Sequence, residues 1–403
     1  MKRNINQVIG VFAHINIKVA ALAVQFFASV AFSLMGSFLP LFISSEIIPS
    51  HSLIEATYWT GIVSLVGSSL YAISAPFWGY ICERVGTKKI MIIVLAGNAV
   101  VYAGMAFSTS VLQVVLFRGL QGTFGGLSTV MFVLIATLAS AAELKKALSY
   151  QIAAMTAGSL IGPGLGGLLA YLIGYRLTFV ASSLIFLCLA PIAFGLRVPK
   201  PKDSEIDAPK FKASDLKALM SDAIALVLIY ACISFIIPTI PWFLESMGIP
   251  AEQLLTFTTL VTVLNGLAFT IATPLLTRVV TDRTLPIFSV AASGAILTTA
   301  FVTNPYHFLA IRVAIGSIQA GLPPSLLGGK SGRRGTAMGI LNSARFLGQA
   351  IGPFIATSIL GNGEPPKAMY MFTTMTIMSL IASLFIYLTH TKKGSTHKTT
   401  SQA

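Results

Sequence analysis

Arg118, Arg312 and Arg345 each stand inside an apolar stretch, and no aspartate or glutamate lies deep in such a stretch to pair with them. A charge at the centre of a bilayer costs about 2.5–3.5 kcal/mol on insertion scales, so an arginine placed there is by default a functional residue facing a polar cavity. Spacing adds to this at Arg345. Asn342, Arg345, Gln349 and Gly352 follow one another at intervals of three, four and three residues, which sets them on one stripe of a helix. Gln25, Ser29, Ser33 and Gly36 form a similar stripe near the start of the chain. Two readings are open for Arg345, Gln349, Asn342, Gln25 and Ser29: contact with a small-molecule substrate, or hydrogen bonding between helices. Buried charge of positive sign favours anionic or neutral ligands.

Other chemistries lack their residues. Cys82, Cys188 and Cys232 are scattered, with neither disulfide nor metal-ligand spacing. The segment LLGGKSGRRG contains Gly-Lys-Ser, but a phosphate loop also needs glycine where Pro324 stands, and no strand precedes it. No cluster of His, Asp or Ser has catalytic spacing. The sequence therefore points away from an enzyme, and no metal or cofactor is expected.

The elements that position the arginines follow from composition. Of the 403 residues 55% are hydrophobic and 10% charged, and the mean hydropathy is +0.82; soluble domains carry about 25% charged residues. Windows of about 20 residues give apolar spans near 19–43, 58–81, 90–108, 112–137, 148–173, 176–196, 218–243, 253–277, 284–303, 305–328, 336–360 and 367–389. The expected fold is an all-α membrane protein of twelve transmembrane helices. With the N-terminus inside, 22 basic residues fall in inner segments against Arg176 and Lys367 outside, so both termini are expected in the cytoplasm. The net charge of +14 then reflects topology and contact with anionic lipid rather than nucleic-acid binding. The start, MKRN before an apolar run, reads as a retained first span rather than a cleaved signal. Short loops suit a bacterial inner membrane, and a monomer is expected.

The chain divides once, at the polar segment RVPKPKDSEIDAPKFKASDLK, giving an N-terminal bundle 1–197, a cytoplasmic linker 198–217 and a C-terminal bundle 218–403. Internal repetition supports two related halves. Arg118, Gly122 and Gly126 recur as Arg312, Gly316 and Ala320, 194 positions on, and Gly158, Gly162 and Pro163 recur as Gly348, Gly352 and Pro353, 190 positions on. Pro238 and Pro241 interrupt the outer end of the seventh span.

Two six-span halves joined by a linker are an architecture of secondary transporters, and here the motifs carry a resemblance. Gly79, Glu83, Arg84, Gly86, Lys88 and Lys89 resemble the G-x-x-x-D-R-x-G-R-K loop between the second and third helices of the major facilitator superfamily, departing at Glu83 for Asp and Thr87 for Arg. Arg118, Gln121 and Gly122 match R-x-x-Q-G of the fourth helix. Gly158, Gly162, Pro163, Gly166 and Gly167 match G-x-x-x-G-P-x-x-G-G, which marks the twelve-span drug:proton antiporter branch.

The resemblance implies two pseudo-symmetric six-helix bundles, alternating access and export of small organic molecules. It implies a role for Arg118 in proton coupling, the alternative being donation to nearby backbone carbonyls. It also implies that Glu83, against the positive end of the eleventh helix, latches the outward-facing state. Arg312 holds the equivalent depth in the second half. The fifth-span glycines are expected as a seam between the halves.

A proton-driven carrier needs a titratable group that alternates between faces. All thirteen acids stand at span ends or in loops, with Glu46, Asp222 and Glu245 nearest to apolar sequence, and no histidine is better placed. Coupling is open between Glu83, Asp222 and competition of protons with substrate, with Asp222 read as a solvated helix end. Substrate is open between the broad range of a multidrug exporter and an organic anion such as a carboxylate siderophore. A non-transporting sensor is the distant alternative.

Overall fold

The computed structural model describes residues 17–138, 144–196, 213–276, 279–281, 284–323, 335–361 and 366–399, in which all regular structure is helical. The first part of the chain contains α1 (Ile17–Ser33), α2 (Leu53–Val85), α3 (Thr87–Ala106), α4 (Val111–Thr123), α5 (Leu127–Leu138), α6 (Leu144–Ile173) and α7 (Tyr175–Gly195). The second contains α8 (Ala213–Phe235), α9 (Ile240–Ser246), α10 (Ala251–Leu276), α11 (Leu285–Thr298), α12 (Pro305–Gln319), α13 (Gly335–Leu360) and α14 (Pro366–Thr399). By length and composition, eight helical segments among the described residues can cross a membrane, among them Ile17–Ser37, Leu53–Cys82 and Leu219–Ser246.

Several expected spans are not single rods. The fourth is interrupted between α4 and α5, and the seventh changes from α8 through a 3-10 turn at Ile237–Thr239 into α9. Pro238 and Pro241 lack the amide hydrogen that a continuing helix would use there. Residues 198–212 of the expected linker lie outside the described residues, and Ala213 already begins α8.

Two compact units emerge, one of Met1–Phe38 with Ile73–Lys210 and the other of Leu39–Ala72 with Phe211–Ala403. In the first unit α1 packs on α6, and α3 on α7. Fully buried Tyr102, Phe179 and Phe186 join α3 to α7 and to Phe32 of α1 through edge-to-face and tilted ring contacts. Arg176, at the start of α7, donates to the Ala106 and Ser108 carbonyls at 2.9 Å, which satisfies acceptors at the end of α3.

In the second unit the strongest pairings are α8 with α13, α11 with α14 and α10 with α12. Two serine pairs lace α11 to α14: Ser293 Oγ donates to Ser379 Oγ and Ser383 Oγ to Ser289 Oγ, both at 2.7 Å. In a lipid environment, where apolar burial does not distinguish helix from lipid, such bonds and close packing hold helices together.

The repeat seen in the sequence recurs as packing. A Cβ on Gly162 would lie 2.8 Å from the Val30 carbonyl oxygen of α1, and one on Gly352 would run into the Ala231 carbonyl of α8. Gly158 lies against the Phe26 carbonyl one turn away, as Gly348 does against that of Val227. Each half thus presses a glycine stripe onto the carbonyls of its own leading helix. Within the first unit Gly158 and Gly162 contact α1, and Gly166 contacts Leu34 in the 3-10 turn Leu34–Ser37 that follows it. Ser33 and Ser37 reinforce the contact by donating to the Gly158 and Pro163 carbonyls at 3.3 and 2.9 Å.

Candidate functional site

Arg118 heads a chain of hydrogen bonds through the first unit. Its guanidinium donates to Gln121 Oε1 one turn along α4, and the Gln121 amide donates to the Tyr102 hydroxyl on α3. Tyr102 in turn donates to the Phe32 carbonyl of α1 at 3.0 Å. The arrangement orients a half-buried arginine through three helices and ends on a main-chain acceptor. Its Nε makes no hydrogen bond among the described residues.

One turn beyond Gln121 the fourth span breaks, and carbonyls at the break accept from side chains. Ser74 Oγ donates to the Gly122 oxygen at 2.8 Å, the Trp78 indole to Thr123 at 2.6 Å and Asn98 Nδ2 to Phe124 at 2.9 Å. Unpaired carbonyls at membrane depth are tolerated only where protein satisfies them. Gly126 is required because the Trp78 ring occupies the space that a Cβ would take. Neither Trp78 nor Asn98 carries a sequence motif; the Gly125–Gly126 pair inside an apolar span was the available signal.

Arg312 sits at the corresponding place in the second unit and is 4% exposed. Its Nε makes no hydrogen bond among the described residues, and position 315, where the repeat would place a glutamine, is Ile315. Asn265 of α10 donates instead to the Arg312 main-chain oxygen at 2.6 Å. The tenth span also breaks, at Ala320 and Gly321, directly after α12.

Arg345, Asn342 and Gln349 project from α13, each half-buried. The Arg345 Cζ lies 5.4 Å from the centroid of the Tyr230 ring of α8 and 5.0 Å from that of Phe346. The guanidinium makes no hydrogen bond or ion pair among the described residues, and its Nε is buried without one. Phe346 stacks on Tyr71 with centroids 3.8 Å apart, and Ser343 Oγ donates to the Ala72 carbonyl at 2.9 Å, so residues at the end of the segment 39–72 pack directly on α13.

Asp222 departs from its expected place. Far from being a solvated helix end, it is 2% exposed and lies within the membrane-length segment Leu219–Ser246. The chain therefore does carry a buried carboxylate, four residues past the start of the apolar run as read from sequence. Burying a carboxylate is costly unless the protein or a proton compensates it.

The sequence profile described as Major Facilitator Superfamily matches residues 21–327 and again 223–403. The chain belongs to the Major Facilitator Superfamily. Among relatives, it is 24% identical over 384 residues to the Multidrug resistance protein MdtG of Proteus mirabilis, covering 91% of this chain and 95% of that one. It is 25% identical to the protein of that name from Enterobacter lignolyticus, over 88% of this chain and 87% of the relative. Of solved structures, the D-xylose-proton symporter superposes with a TM-score of 0.73 at 17% identity, covering 92% of this chain and 96% of that one. This superfamily member is an integral protein of the bacterial inner membrane and a secondary transporter of small molecules, not an enzyme.

The remaining expected positions of this facilitator divide between packing and surface. Gly86 has φ of +97° at the turn between α2 and α3, a conformation that favours glycine. Gly79 approaches Thr129 of α5. Arg84 lies over the Tyr80 ring at 4.4 Å, Lys88 over Phe194 at 5.2 Å, and Lys89 is exposed. The Glu83 side chain lies outside the described residues. Gln25 and Ser29, expected at the substrate, are 1% and 4% exposed and bonded inside the first unit: Gln25 Nε2 donates to Ser29 Oγ and Gln151 Nε2 to Gln25 Oε1, both at 2.8 Å. In this conformation they serve the contact of α1 with α6.

Proposed function

We propose that this transporter is a proton-coupled exporter of small organic molecules, of the twelve-span drug:proton antiporter branch, with two six-helix bundles that expose a central site alternately to the two faces. Both termini are cytoplasmic in this reading. The observation that carries it is the nearly full-length match to proteins named multidrug resistance proteins, joined to the fifth-span pattern Gly158, Gly162, Pro163, Gly166 and Gly167.

Within this scheme Arg345, Gln349 and Asn342 bind substrate. Asp222 is the proton carrier, since among the described residues it is the acid buried within a membrane-length segment. Arg118, held by Gln121 and Tyr102, sets the field that a moving proton meets, Arg312 repeats it in the second half, and Glu83 acts in gating. Gln25 and Ser29 reach substrate only if the bond to Gln151 opens.

A second reading, export of an organic anion such as a carboxylate siderophore, is favoured by one observation: the Arg345 guanidinium has no acidic partner among the described residues. The test is accumulation. Bacterial cells expressing the chain should retain less of an exported probe than cells carrying an empty vector, and collapse of the proton gradient should abolish the difference. Equal retention across panels of anionic, neutral and cationic probes would contradict export.

A further inference from the structure

Arg345 stands beside two aromatic rings. The Tyr230 and Phe346 rings lie at 5.4 and 5.0 Å from its Cζ, within the range of about 6 Å at which aromatic faces attract a guanidinium. Such contacts attract the cation without pairing its charge. Of its donors, Nε is buried and makes no hydrogen bond among the described residues. The two terminal nitrogens form no hydrogen bond or ion pair among the described residues. With Nε buried, the terminal nitrogens are the donors left for an anion.

The surroundings continue the pattern. Tyr71 stacks on Phe346 at 3.8 Å with an interplanar angle of 27°, so the aromatic surface extends beyond the arginine. Tyr71, Tyr230 and Phe346 are each half-buried. Asn342 and Gln349 stand one turn to either side of Arg345 on α13 and make no side-chain hydrogen bond among the described residues.

We propose that this cluster is a binding site for aromatic carboxylates, a substrate class that rests on the reading of Arg345 as a substrate contact. The two coplanar oxygens of a carboxylate match the two terminal nitrogens of a guanidinium. A carboxylate conjugated to an aromatic ring is coplanar with it, so an acid held at the guanidinium brings its ring beside those of Tyr230, Phe346 and Tyr71. A saturated acid of the same size gains the ion pair without the stacking. An aromatic cation gains stacking and meets a like charge. Asn342 and Gln349 supply donors and acceptors to ring substituents, which gives selection among aromatic acids.

The test is equilibrium binding to the purified full-length protein of 2-naphthoate, the saturated decalin-2-carboxylate and a naphthyl trimethylammonium ion. Wild type should bind naphthoate at least about tenfold more tightly than the saturated acid, and the cation weakest. Tyr230→Leu should reduce the preference between the two acids to under about threefold. Arg345→Lys, which keeps the charge and loses the planar fork, should weaken naphthoate about tenfold or more. Equal binding of the two acids by wild type, a comparison that depends on no variant folding, would overturn the aromatic site and leave the anion reading standing. Acids that bind wild type and Arg345→Ala alike, or a cation that binds most tightly, would overturn the anion reading with it.

Discussion

The Trp78 indole nitrogen lies 2.6 Å from the Thr123 carbonyl oxygen and closes the end of α4 in the middle of an apolar span. Because that carbonyl is denied its helical partner by the break, the bond satisfies an acceptor that lipid cannot. Trp78→Phe keeps a ring beside Gly126 and Phe124 and removes the donor. An unsatisfied buried acceptor costs about 1–3 kcal/mol, so thermal unfolding of the variant in detergent should occur at a clearly lower temperature than in wild type. An unchanged midpoint would show that the break does not depend on this bond.

Gly162 and Gly352 should respond alike to alanine. Each lies against a carbonyl of the leading helix of its own half, Val30 and Ala231 respectively, and overpacking of this kind costs about 1–3 kcal/mol. Gly294, in α11, has nothing within 4 Å of the position its Cβ would take. Gly294→Ala should be neutral or stabilising by up to about 1 kcal/mol through reduced freedom of the unfolded chain. Loss of stability at only one of the two stripe glycines would contradict the repeated packing.

Tyr102 shares its hydroxyl between the Gln121 amide and the Phe32 carbonyl. Tyr102→Phe removes both bonds, at about 0.5–1.5 kcal/mol each, while keeping the ring among Phe32, Phe179 and Phe186. The expected result is transport that is slower under a proton gradient, with substrate affinity within about twofold of wild type. Weakened binding at full gradient-driven rate would assign the Arg118 chain to substrate instead.

How far the sequence could be read depended on whether a feature was local. The apolar runs and the positions of Pro238 and Pro241 locate helices and breaks because each acts on its own backbone. The glycines of the fifth and eleventh spans announced close packing, but their partners, the carbonyls near Phe26, Val30, Val227 and Ala231, have no side-chain signature. Asp222 was misjudged because it is near the start of its span, where hydropathy alone suggests solvent; burial there comes from neighbouring helices. Gln25 and Ser29 show the same limit. A polar stripe marks a face without saying whether that face meets substrate or, as here, Gln151.

The central claim, that protons drive export through a buried carboxylate, is tested most directly by Asp222→Asn in liposomes. Purified wild type and variant would be reconstituted, a proton gradient imposed, and movement of an exported probe followed together with internal pH. The account predicts that wild type moves probe and protons in opposite directions, and that the variant still exchanges probe across the membrane when no gradient is applied but neither concentrates it nor carries protons. Full gradient-driven accumulation by Asp222→Asn would contradict the assignment of Asp222 as the carrier, and probe movement by wild type without any change in internal pH would contradict proton coupling itself.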